Sequence, residues 1–213
     1  MSFARLQPHL NTRAKILVSR NRPSNPRVSG YLLGLSEELA LLHAFDDFEP
    51  DGYTIVRTAD VVDVRSGPYE RHWDRMLAGE GLLGGLDEAP ALSLTDMRAT
   101  LRAIQALELP LIVQCEDADS AIEDFYIGEI VGVEDTTLRF DHFDALGAWT
   151  LEPDAIELDE ITMLQLATPY MRRFWRYLAP RGTPRAGDLA TRAAAIREAI
   201  ENARRAIEPA SEP

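Results

Sequence analysis

An internal repeat constrains this chain more than any other feature of its sequence. Gly30-Tyr31-Leu32-Leu33-Gly34 returns 98 residues later as Gly128-Glu129-Ile130-Val131-Gly132. Leu39, Leu41 and His43 return 99 residues later as Leu138, Phe140 and His142. Pro68-Tyr69, followed by Arg71, Trp73, Arg75 and Leu77, returns 101 residues later as Pro169-Tyr170, followed by Arg172, Phe174, Arg176 and Leu178. The order is preserved and the spacing drifts only by loop-sized steps, which is the signature of a duplicated unit. Residues 1–92 then form a first copy with a trailing helix and a Gly-rich linker. Residues 93–180 form a second copy with leading and trailing helices, and 181–213 a C-terminal amphipathic helix. The positions that mark the repeat are Gly30, Gly34, Gly128 and Gly132, with Tyr69 and Trp73 answered by Tyr170 and Phe174.

Each copy reads mostly as strand, because short apolar runs or alternations are bounded by Gly, Pro, Asn and Asp. In the first copy the strands are 15–19, 28–35, 39–45 and 53–64, and in the second 111–115, 125–133, 138–143 and 149–166. The long last segment of each copy has room for two strands. Pro50-Asp51-Gly52 reads as a turn with a positive-φ glycine, and 21–26 as a hairpin loop. Tyr69, Trp73, Met76 and Leu77 share one helical face, as do Tyr170, Phe174, Tyr177 and Leu178. A connecting helix starts at the N-cap pair Thr95-Asp96 and runs through Met97, Leu101, Ile104 and Leu107 to Pro110. From Asp188 to Ile207 apolar residues recur at steps of 4 and 3, a narrow seam for a single partner helix or surface. The expected class is mainly β with accessory helices.

Charge is distributed unevenly. The net charge is -13, but residues 108–160 alone hold 16 acidic side chains against one basic, whereas the first 36 residues hold six basic and no acidic ones. An acidic balance disfavours non-specific binding to nucleic acid or anionic membrane, since that affinity comes from neutralising phosphates with Lys and Arg. The basic arm, with Arg20, Arg22 and Arg27 as its RNA-binding candidates, would meet either an acidic partner or the chain's own acid block. Lys15 is the one lysine among 22 basic residues, a composition that fits a GC-rich bacterial genome. Cys115 is the one cysteine, so no internal disulfide forms and a reducing, cytoplasmic setting is expected. No apolar run approaches the roughly 20 residues of a membrane span.

Five short strands around a Gly-x-apolar-x-Gly second strand resemble the Sm-like family of small SH3-like barrels, with Gly30–Gly34 and Gly128–Gly132 matching its first motif. The resemblance covers 12–67 and 108–167 and implies two tandem barrels with linking helices and a C-terminal helix. It also implies assembly through strand edges. The family's RNA pocket is not reproduced: its Asp, aromatic and Asn positions hold Ser36, Glu38 and Ala40 in the first copy, and Glu134, Thr136 and Leu138 in the second. Self-association through strand edges or the C-terminal helix is therefore expected ahead of nucleic-acid binding, and a protein partner is compatible with it.

Enzyme signatures are sparse. Gly79 to Gly84 fits G-x-G-x-x-G but follows a helix instead of a strand, so it reads as a helix stop and linker. His43 and His142, at matched places of the repeat, lie near Asp46 and Asp47 in one copy and Asp141 and Asp144 in the other. His142, Asp141, Asp144 and His43 are the metal candidates, and His plus Asp also moves protons. Period-2 alternation puts His142 beside Leu138 and Phe140, which reads as a partly buried strand-end histidine. Glu116, Asp117, Asp119, Glu123 and Asp124 lack the mid-loop Gly of an EF-hand and read as a solvated hairpin tip. No cofactor is implied. The leading expectation is a non-enzymatic assembly or protein-interaction module. The alternatives are an RNA-associated regulator using the arm and a metal- or small-ligand-dependent enzyme using the histidines.

Overall fold

Apolar alternation places the strands where the sequence predicts them, and each long last segment splits in two. The computed structural model describes residues 2–117 and 123–181. The first half contains α1 (Ser2–Leu6), β1 (Lys15–Arg20), β2 (Arg27–Leu35), β3 (Leu39–Asp46), β4 (Glu49–Arg57), β5 (Val61–Arg65) and α2 (Pro68–Gly79). The second contains α3 (Met97–Ala106), β6 (Leu111–Glu116), β7 (Glu123–Val133), β8 (Thr137–His142), β9 (Asp154–Glu157), β10 (Met163–Leu166) and α4 (Pro169–Trp175). The fold is mainly β with accessory helices. The seam from Asp188 to Ile207 lies outside the described residues.

All ten strands belong to one antiparallel sheet, ordered β5-β1-β2-β3-β4-β10-β6-β7-β8-β9. The order fifth-first-second-third-fourth therefore occurs twice, and the halves meet where β4 pairs with β10. Register matches as well. β2 and β3 slip by one residue between Leu32 and Gly34, and β7 and β8 slip between Ile130 and Gly132. A bulge of this kind bends its strand. Gly30 pairs with Ala44 and Gly34 with Leu41, while Gly128 pairs with His142 and Gly132 with Arg139. The offset is thus 98 in both strands, which corrects the matching of the histidines: His43 corresponds to Asp141, and His142 to Ala44.

The two glycines of each motif differ in what they face. A Cβ at Gly30 would collide with the His43 carbonyl oxygen, and one at Gly128 with that of Asp141. At Gly34 it would lie 2.6 Å from Leu94 Cδ1, whereas at Gly132 nothing is nearer than 3.9 Å. Backbone crowding across the bent pair requires the first glycine in both halves.

β3 explains how the halves pack. Its sequence Leu-Ala-Leu-Leu-His-Ala-Phe is apolar without alternation because both of its faces are covered. Leu39 and Leu41 join a cluster with Leu101 and Ile104 of α3 and with Leu111, Val113, Phe140 and Leu164 of the second half. Ala40 and Leu42 join another with Ile16, Val18, Val28, Leu32 and Met163. α3 is held in place by the Asp96 cap, whose carboxylate accepts from the Ala99 N–H at 2.7 Å. α4 lays Met171, Phe174 and Trp175 on Ile112, Ile127, Phe143 and Trp149.

Two local expectations are corrected. The turn between β3 and β4 falls at Asp47, with φ +49°, so Pro50-Asp51-Gly52 lies inside β4, where Gly52 keeps its positive φ of +74°. The expected aromatic face of α2 is only partly covered: Leu77 is buried, but Tyr69 is 73% exposed and Trp73 stacks on Phe48 with ring centroids 4.5 Å apart. Among the described residues no helix is long and apolar enough to cross a membrane.

Candidate functional site

The junction between the halves concentrates the polar chemistry. Its frame is the pairing of β4 with β10, Val56 opposite Met163 through Tyr53 opposite Leu166. Arg20, at the end of β1, donates from Nη2 to Glu116 Oε2 at 2.5 Å, and both side chains are 0% exposed. The same oxygen accepts from Thr162 Oγ1 at 2.7 Å, and the other carboxylate oxygen from the Asn25 N–H at 3.2 Å. Arg20 Nη1 donates to Asn25 O at 3.0 Å. Arg22 donates to the Glu116 carbonyl at 2.8 Å and to Asp60 at 2.7 Å. On the far side Arg57 donates to Ile161 O, Leu158 O and Glu38 at 2.7, 2.5 and 3.1 Å. Burying two charges is tolerable only when they pair and their remaining polar atoms find partners. Glu116 meets that requirement from three directions.

These contacts place the basic arm. Arg20 and Arg22 dock on the chain's own acid block, leaving Arg27 as the exposed member of the three. They also correct the reading of Glu116 as part of a solvated tip, because Glu116 is the buried partner of Arg20. The sequence signal was available in the basic first segment and the acidic second copy; which arginine reached which carboxylate was not.

The metal candidates do not converge. His43 is buried between Phe45 and Tyr53, with ring centroids 5.0 and 5.2 Å away, and its Nδ1 donates to the Gly52 carbonyl at 2.9 Å. Its Nε2 is buried against Gly85 with no hydrogen-bond partner in the structure. His142 Nε2 meets the Asp154 carboxylate and its ring stands edge-on to Tyr126. Asp141 accepts from Thr150 Oγ1 at 2.9 Å and pairs with Arg181. Asp144 accepts from the Leu146 and Ala148 N–H groups at 2.9 and 3.1 Å, which closes its loop. Among the described residues no group of three or more His, Cys, Asp or Glu is arranged to hold a metal ion. Partial burial also raises the Cys115 thiol to about 12, which keeps it protonated near neutral pH.

Burial pushes the His43 pKa below its ordinary value. The unfolded chain takes up a proton near pH 6.5 that the folded chain resists, so stability is full above that value and falls as the pH drops below it. Urea midpoints measured at pH 7.5 and 5.5 should therefore separate for the wild-type chain. They should draw together for His43→Asn, whose amide can still donate to Gly52 O; an unchanged separation would assign the acid sensitivity to other groups.

The repeat aromatics of the second half, Tyr170 and Phe174, sit at half-covered positions. Tyr170 stands edge-on to Phe125 with centroids 6.2 Å apart, and Phe174 tilts onto Phe143 at 6.0 Å. The two ends of the sheet are formed by β5 and β9, each paired on one side only. Val62 of β5 is 49% exposed, and Asp154, Ala155 and Glu157 of β9 are exposed. Comparison with protein-family models, with curated proteins and with solved structures finds no match to this chain.

Proposed function

We propose that the chain is a non-enzymatic assembly module of two Sm-like small barrels that arose by duplication. The strand order repeated in both halves and the bulges at matched glycines support that reading. The single observation that carries the function is the β4–β10 joint. It pairs the fourth strand of one unit with the fifth of the next. The end strands are then the unused counterparts of the same joint: β9 is the fourth strand of the second unit and β5 the fifth strand of the first. Repeating the joint between molecules sets β9 of one copy on β5 of another, a head-to-tail contact that closes into a ring or runs on as a filament. The alternative of RNA binding through the arm has less support, since Arg20 and Arg22 are engaged within the chain.

Light scattering at micromolar concentration tests the proposal. The expected mass is a multiple of the 23.8 kDa chain. Val62→Glu, which sets a like charge against Glu157 of the next copy, should reduce it to a single chain. A monomeric wild-type protein would end the assembly reading.

A further inference from the structure

Independently of assembly, Lys15 stands apart among the charged groups of the described residues. It is the chain's one lysine, at the start of β1, and is 4% exposed. Its Nζ is buried and has no hydrogen-bond partner in the structure. Instead it lies 5.2 Å from the ring centroid of Phe45, 5.5 Å from that of Trp73 and 6.0 Å from that of Tyr31. Lys15, Phe45 and Trp73 also line a cavity of about 310 Å³ together with Arg27, Asp46, Asp47 and Arg65.

The carboxylates facing this amine are occupied elsewhere or act only at a distance. Asp74, on α2, accepts the Lys15 backbone N–H at 3.1 Å and the Tyr31 hydroxyl at 2.7 Å. Glu70, also on α2, accepts from Arg65 and from the Gly67 N–H, both at 2.7 Å. Asp47, from the turn after β3, contributes only long-range attraction. An ammonium held by ring faces alone lacks the hydrogen bonds that a buried charge requires. Burial accordingly pushes the amine down to about 8. At pH 8 about half of it therefore carries a free lone pair, the condition for amine nucleophilicity.

We propose that the Lys15 cavity is a covalent binding site for a small planar aldehyde, captured by Lys15 as an imine between the rings of Phe45 and Trp73. The neutral amine attacks the carbonyl carbon, and the C=O π pair moves to oxygen. One amine proton passes to that oxygen to give a carbinolamine. The nitrogen lone pair then expels the hydroxyl as water, with a second proton leaving nitrogen for the departing oxygen, and the C=N bond forms. No oxidant or reductant enters. The faces of Phe45 and Trp73 suit a flat carbonyl compound.

The test uses the full chain, 2-hydroxybenzaldehyde as the probe and borohydride to trap the imine, with the labelled amine located by peptide mass. Besides Lys15, the only primary amine is the chain's α-amino group, so two sites cover every outcome. In the folded protein at pH 8 the label should fall on Lys15 as well as on the α-amino group, which is also about half neutral there, and the Lys15 rate should rise to half its maximum near pH 8. Unfolding in urea should slow labelling at Lys15 about a hundredfold, because an ordinary lysine is only about 0.4% neutral at pH 8 against about half for this one. Lys15→Arg should remove the Lys15 share of the near-ultraviolet imine band and leave only that of the α-amino group. Label confined to the α-amino group of the folded chain, or a Lys15 rate unchanged by urea, would overturn the proposal. Neither reading depends on how the variant folds.

Discussion

Glu116→Ala should lower the unfolding free energy by about 3–5 kcal/mol, the usual cost of stranding one charge of a buried ion pair. The substitution leaves Arg20 with no countercharge at a position from which water is excluded, and removes the acceptor of the Asn25 N–H. Thr162 is less affected, since its hydroxyl also reaches Gln114 O at 3.1 Å. Replacing both partners, as Arg20→Met with Glu116→Leu, should recover most of the loss, because two apolar groups of similar size need no compensation in the interior. Urea midpoints at constant slope give both values. If the double variant is as unstable as the single one, the junction is held by shape and not by charge pairing. The same measurement shows whether the halves unfold together, as two clusters spanning both of them require.

The second large effect is steric. Gly128→Ala should cost about 3 kcal/mol or more, at the upper end of overpacking, because the new Cβ meets the Asp141 carbonyl, which is fixed backbone and cannot rotate away. Gly30→Ala should behave alike against His43. Gly132→Ala should do the opposite. With nothing nearer than van der Waals contact on Arg139 and no positive φ, it should be neutral or stabilising by up to about 1 kcal/mol, through loss of unfolded-state freedom. A similar cost at both glycines of the second motif would mean that the bend, and not the strand crossing, sets the requirement.

Much of this fold was legible in the sequence for a physical reason: period-2 alternation and turn residues are local signals. They located the strands, the Asp96-capped α3 and the helix stop at Gly79. The repeat was legible too, but its register was not. The histidines matched at an offset of 99, whereas strand pairing runs at 98, so the resemblance joined residues on opposite faces of equivalent strands. A one-residue slip of this kind is invisible when both faces of β3 are apolar, since neither alternative exposes anything. The turn was misplaced for a related reason. Gly52 does need its positive φ, but a glycine can satisfy that inside a strand, while Asp47 turned the chain in the left-handed region that Asp tolerates.

The site was harder to read because its partners are distant in sequence. Arg20 and Glu116 are 96 residues apart, and only the sheet order brings β1 and β6 to one junction. The charge asymmetry announced that basic and acidic segments would meet; it could not say that the meeting point is dry. Lys15 illustrates a different blindness. As one cation in a basic segment it looked like its neighbours, and what separates it is the ring cage contributed by β2, β3 and α2.

Backbone hydrogen exchange on the assembled wild-type chain reads the two sheet edges themselves. If β9 of one copy pairs with β5 of the next, peptides covering 61–65 and 154–157 should be protected at micromolar concentration. They should lose that protection together on dilution or in Val62→Glu. Edges that exchange freely while the chain remains oligomeric would contradict the account, by placing the contact somewhere other than the two ends of the sheet.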